Sequence, residues 1–218
     1  MSRVFPKLGK VITMAAKEGG DDPESNSKLR TAIINAKAQN MPKDKIEAAI
    51  KRASGKDAQS IVEVSYEGKG PHGVLLFVEC ATDNTNRSVS NVKTYFNKMG
   101  GEVVNSGTFD FLFSRKAVIE IEKTEGVDFD GIELELIDAG LEEFEVDEDT
   151  AIAYGDYKSF GSLSQAAEAL GVTIKKAGLQ RVANSPIEFS EEQLEEIETL
   201  IDQLEEDEDV QAVYTNIA

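Results

Sequence analysis

Between residues 115 and 183 the hydrophobic period runs in the order two, 3.6, two, two, 3.6, two, and this order limits what the rest of the chain can do. "A-V-I-E-I-E" alternates as a strand, and apolar positions from Phe129 to Ala139 recur at helical spacing. "E-F-E-V" and "A-I-A-Y" are two further strands, and a helix begins near "S-L-S-Q", read as a capping box, and runs to Leu170. "V-T-I-K-K…L-Q-R-V" is the last strand. Strand-helix-strand-strand-helix-strand closes a ferredoxin-like sheet on its own. The flanking segments cannot. Residues 60–113 carry strands and one helix, and the tail after "N-S-P" carries strand, helix and strand with nothing beside them. Joined, the two make a second α/β unit with 115–183 inserted into it. The expected fold class is therefore α+β, in three domains: a helical head (1–58), a discontinuous α/β domain (59–114 plus 184–218) and the inserted ferredoxin-like domain (115–183).

The head reads as three helices. Phe5, Leu8, Val11, Ile12 and Ala15 stripe the first, which Gly19-Gly20 stops. Leu29, Ile33, Ala36 and Asn40 mark the second, and Ile46, Ala49, Ile50 and Ala53 the third, with Pro42 in its first turn. Past Ser60 the period becomes two. Val62, Val64 and Tyr66 share a strand face, "V-L-L-F-V" is apolar on both faces as a central strand is, and Val89, Val92, Phe96 and Met99 define a helix closed by Gly100-Gly101. "E-V-V", "F-D-F-L-F" and "I-E-F" are expected as strands. In the tail, Ser190 and Gln193 form a capping box ahead of the stripe Leu194, Ile197, Ile201 and Leu204.

Charge divides unevenly along this plan. Residues 1–60 hold 12 Lys and Arg against 7 Asp and Glu, a balance of +5, whereas residues 61–218 hold 11 against 34, a balance of −23. A basic head on an acidic body points to a nucleic-acid partner for the head and leaves the body to solvent or to a protein partner. The candidate contacts are Lys28, Arg30, Lys37, Lys43, Lys45, Lys51 and Arg52, which the apolar stripes do not use. No run reaches the roughly 18 apolar residues of a membrane span. No basic-then-apolar leader opens the sequence, so a cytoplasmic protein without membrane contact is expected.

Catalytic chemistry finds little to work with. His72 and Cys80 are the single histidine and the single cysteine. Eight strand residues separate them by roughly 26 Å, too far for a dyad. They are too few for a zinc site. "G-K-G-P-H-G" lacks the closing Lys-Ser/Thr of a phosphate loop, and "D-E-D-T-A-I" lacks the spacing of a calcium loop. No enzyme activity, metal or cofactor is expected. The run "E-E-D-E-D" at 205–209 reads as a solvated helix end.

One polar stretch, "T-D-N-T-N-R-S", joins the central strand to the helix after it. Asn84 or Asn86 suits the cap. Arg87, in the first turn, sits where the helix dipole disfavours a cation. Either a salt bridge to Asp83 or Glu79 resolves that conflict, or an anion does, bound by Asn84, Asn86 and Arg87 with Asp83 steadying the arginine.

Four motifs, "S-K-L-R-T-A-I-I-N-A-K-A-Q-N-M-P-K-D-K-I", "Y-E-G-K-G-P-H-G-V", "T-D-N-T-N-R-S" and "G-G-E-V-V-N-S-G-T-F-D-F-L-F", resemble the YebC/PmpR family in order along essentially the whole chain. The resemblance implies a helical head with two α/β domains around a central cleft, and no enzyme activity. It implies a DNA-binding transcriptional regulator. Its alternative implication is a ribosome-associated, RNA-binding factor that relieves stalling or activates translation. Relatives usually begin with a basic segment before the first helix, whereas this chain opens at "M-S-R-V-F-P-K", roughly where that segment ends, with Pro6 inside the helical span.

Overall fold

The structure, a computed structural model, describes residues 3–56 and 60–218, so the expected boundary at 58/59 lies outside the described residues. Helices α1 (Val4–Gly19), α2 (Ser27–Ala38) and α3 (Lys43–Arg52) come first. β1 (Val62–Lys69), β2 (Leu75–Thr82), α4 (Thr85–Lys98) and β3 (Glu102–Val104) follow. Then come β4 (Phe113–Glu122), α5 (Phe129–Ile137), β5 (Leu141–Val146), β6 (Thr150–Asp156), α6 (Phe160–Ala169) and β7 (Thr173–Ala183). The chain ends with α7 (Glu191–Glu206) and β8 (Val210–Thr215). The fold is α+β and divides into two compact units. The first comprises the chain up to Val11, Ser54–Ser114 and Arg181–Ala218, and the second comprises Ile12–Ala53 and Arg115–Gln180.

In the first unit the sheet order is β3-β1-β2-β8, with every neighbour antiparallel. Alternation on β2 sends Leu76, Val78 and Cys80 to one face, where Val92 and Phe96 of α4 and Ile197, Leu200 and Leu204 of α7 cover them. Gly68 is required there, because a Cβ would lie 2.3 Å from the Phe96 ring. At Gly101 a Cβ would fall 2.2 Å from the Lys69 carbonyl, so the turn after α4 also admits glycine alone. The other face of β2 carries Phe77, which meets Phe109 and Phe113 edge-on at 5.9 and 4.9 Å. α7 opens with the reciprocal Ser190–Gln193 capping box.

In the second unit the order β5-β6-β4-β7, antiparallel in its β4–β6 and β5–β6 pairs, is the ferredoxin-like arrangement. Ile119, Ile121, Ile132, Leu136, Leu163 and Ala167 fill the core between this sheet and α5 and α6. The helices of the head are tied by polar groups placed with economy. Asn26, almost fully buried, caps α2 through Leu29 N and donates its amide to the carbonyls of Ala15 and Gly20, both at 2.8 Å. Thr13 donates to Ala49 O at 2.7 Å. Asn35 of α2 reaches edge strand β7, giving a hydrogen bond to Ala177 O (2.8 Å) and taking one from Ala177 N (2.9 Å), as a neighbouring strand would.

Several local expectations are corrected. "F-D-F-L-F" is not a strand: a run of turns precedes β4, which starts at Phe113. "I-E-F" supplies a single bridge, Ile187 to Ile217. "S-L-S-Q" is no capping box, because α6 begins at Phe160 and Ser162, already inside it, donates to the Ala139 and Ser159 carbonyls. Asn40 leaves the helical stripe as an exposed residue at φ 59°, closing α2 in a left-handed conformation. Pro42 caps α3 from outside it, whereas Pro6 lies in the first turn of α1, where its missing N–H would have had no helical partner.

Candidate nucleic-acid interface and the acidic node

Arg3, Lys7 and Lys10 recur at the spacing of one helix face, and all three meet the C-terminal end of α7. Arg3 and Lys7 donate to the carbonyls of Glu206 and Glu205, and Lys10 Nζ to that of Glu208 at 2.9 Å. The last carbonyls of a helix have no N–H of their own, and the negative end of its dipole favours cations. The run 205–209 is therefore not a solvated end; it is where the start of α1 is held.

The centre of this region is Asp209, whose side chain is 2% exposed. Arg87 Nε donates to Oδ2 at 2.9 Å and its terminal nitrogen to Oδ1 at 2.7 Å, Ser88 Oγ adds a bond at 3.0 Å, and Lys10 stands 3.3 Å away. Burial alone pushes the Asp209 carboxyl up, but the bonds from Arg87 and Ser88 and the charge of Lys10 outweigh it and hold the group below its ordinary value. Beside it, Asp207 accepts from Asn91 and Tyr95, at 2.9 and 2.8 Å, and from the Asp209 N–H at 2.9 Å. Burial, then the bond to Asp207, push the Tyr95 phenol up to about 12, so it stays a neutral donor at neutral pH.

Within "T-D-N-T-N-R-S", Asn84 is the cap: its Oδ1 accepts from Arg87 N at 3.0 Å, while Asn86 lies exposed in the first turn. Asp83 does hold Arg87, at 2.8 Å. Glu79, the other candidate partner, instead takes Arg181 at 3.1 Å. Two carboxylates on Arg87, those of Asp83 and Asp209, offset the conflict with the helix dipole. Sequence reasoning missed Asp209 because it lies 122 residues from Arg87 and nothing local marks it. Cys80 is buried in the core, and burial pushes its thiol up to about 12. His72 sits exposed in a 3-10 turn at φ 60°, 3.1 Å from Glu196.

The seven head cations separate into two groups. Lys28 pairs with Glu18 at 2.6 Å, and Arg30 binds Glu168 at 3.1 Å and the Pro23 carbonyl at 3.0 Å. These two serve the second unit internally. Lys37, Lys43, Lys45, Lys51 and Arg52 are exposed on α2 and α3. Lys43 makes one long i,i+4 pair, 3.7 Å to Glu47. Residues 31–56 hold 6 Lys and Arg against 2 Asp and Glu, so this end of the head is cationic whatever its local pairs do. Among the described residues, no group of three or more His, Cys, Asp or Glu could hold a metal ion. No described helix is long and apolar enough to cross a membrane.

Comparison with known proteins places these features. Residues 1–56 match the model of the TACO1/YebC N-terminal domain, and residues 61–217 that of the TACO1/YebC second and third domain. A protein of Wolinella succinogenes named "probable transcriptional regulatory protein" is 64% identical over 219 residues, covering 100% of this chain and 92% of its own length. A Campylobacter jejuni protein of the same name is 59% identical, with the same coverage. Among solved structures, a conserved hypothetical protein of Aquifex aeolicus superposes with a TM-score of 0.86 at 37% identity, covering 99% of this chain and 89% of the other.

Proposed function

Because the chain belongs to the TACO1/YebC family, we propose that it is a regulator of transcription that meets DNA through the cationic surface of α2 and α3. The names of its relatives support the regulatory role. The observation that carries the DNA contact is the exposed set Lys37, Lys43, Lys45, Lys51 and Arg52, in a stretch with few carboxylates and inside a strongly acidic protein. Lysine and arginine on a helical surface fit the phosphate backbone as point and fork contacts, and the affinity falls with added salt because the counterions that binding releases then gain less entropy. A regulator of this kind works in the cytoplasm and needs no cofactor.

The test is duplex-DNA binding titrated with salt, on the full chain and on a variant with Lys43, Lys45, Lys51 and Arg52 all changed to Ala. None of the four is buried, so the variant is expected to keep the fold, which its melting temperature checks. The expected loss is about 0.9 in the log–log salt slope for each phosphate contact removed. Unchanged binding and slope would remove α3 from the interface. Sedimentation with ribosomes, in a protein that leaves duplex DNA unbound, would overturn the DNA reading in favour of translation.

A further inference from the structure

Phe111 is 93% exposed, further than any other large hydrophobic among the described residues. It is not exposed through slackness. Glu67 of β1, itself 3% exposed, turns its carboxylate to the N–H groups of Gly107 and Phe109, the latter at 2.7 Å. Phe109 and Phe113 are buried on either side against Phe77. Leu112 N and Phe113 N both donate to Phe109 O, at 2.9 and 3.2 Å. Asn184 closes the turn from outside, with its N–H on Leu112 O (2.9 Å) and its amide on Phe111 O (3.1 Å). A backbone fixed at this many points presents one aromatic ring to water, next to Leu112 at 46% exposure and two residues along from Asn184 to Val182 at 38%.

We propose that Phe111 anchors a protein-docking surface whose occupant is an apolar pocket on a basic protein. Nucleic acid is the poorer fit. Residues 103–114 and 182–187 hold one charged side chain, Asp110, and the adjacent Arg181 is committed to Glu79 and to the face of Phe77, 4.2 Å from the ring centroid. Within these two segments a phosphate backbone finds no cation. The unit as a whole carries 9 Lys and Arg against 19 Asp and Glu, net −10. Charge depletion around an exposed aromatic is the composition of an interface core, where one rigid ring often dominates affinity. The negative field of the unit steers positively charged partners toward it.

The experiment places p-benzoylphenylalanine at position 111 of the full chain and irradiates both living cells and the purified protein. The expected product in cells is one adduct with a basic protein, absent when the photoprobe replaces exposed Glu191 on α7. With that protein purified, Phe111→Ala weakens binding at least tenfold, added salt weakens it further, and the melting temperature of the variant is unchanged. The variant lacking Lys43, Lys45, Lys51 and Arg52 still forms the adduct, which separates this surface from the DNA interface. A homodimer adduct with the purified chain, an adduct with nucleic acid, no adduct, or a purified partner whose affinity ignores Phe111→Ala each overturns the proposal.

Discussion

Replacing Arg87 by Ala tests the acidic node directly. An exposed i,i+4 pair, as Arg87 makes with Asp83, is worth at most about 1 kcal/mol. The pairing with Asp209 differs because the acceptor is 2% exposed while Arg87 is 45% exposed. Truncating one partner of a fully buried pair costs about 3–5 kcal/mol. Here Ser88 and Lys10 still reach Asp209, and the space left by the guanidinium admits water, so the expected loss falls to about 2–3 kcal/mol. In a chain of this size that lowers the melting temperature by roughly 4–12 °C. Asp83→Ala, which breaks the exposed pair alone, should stay below about 1 kcal/mol. Urea unfolding of both variants at pH 7 gives the comparison. The pH dependence gives a second reading of the same contact. Asp209 is held below its ordinary value in the folded protein, so its stabilisation is complete above the carboxylate range and is lost as pH falls through it. Without Arg87, burial meets less opposition and the folded carboxyl rises toward its unfolded value, so less of the variant's stability is lost on acidification. The reasoning is refuted if Arg87→Ala is no worse than Asp83→Ala at pH 7, or if the variant loses as much stability as the unmutated protein when the pH is lowered through the carboxylate range.

Two further outcomes are expected. Asn35→Ala strips both hydrogen bonds from the Ala177 backbone on edge strand β7 and should destabilise the protein by about 1–3 kcal/mol, read by denaturant unfolding, and Asn35→Asp, which sets a carboxylate oxygen against the Ala177 carbonyl, should cost no less. Residues 115–183 expressed alone should give a cooperative thermal transition and dispersed amide spectra, because the core from Ala117 to Ala177 is drawn from this segment; a molten fragment would refute the insertion boundaries.

Much of the architecture was legible because it depends on neighbours in sequence. The β-α-β-β-α-β order, the stripe of α7 with its Ser190–Gln193 box, the apolar β2 and the glycine stops at Gly20 and Gly100 all follow from period and backbone freedom, which act within a few residues. Where local signals competed, sequence reading failed. Alternating aromatics in "F-D-F-L-F" suggested a strand, yet the carboxylate of Glu67, some forty residues earlier, takes the N–H groups that a strand would have paired. The arginine in "T-D-N-T-N-R-S" advertised a missing anion, but nothing in the letters could say whether a ligand or a distant side chain supplied it. Folding brings Asp209, the residue before β8, beside Arg87 and Ser88 at the start of α4 and beside Lys10. The sequence alone thus determined most of the elements, their order and the charge asymmetry between the first sixty residues and the rest. Tertiary structure alone decided which charges are spent internally, because ion pairing depends on distance and burial across segments that the chain order leaves more than a hundred residues apart.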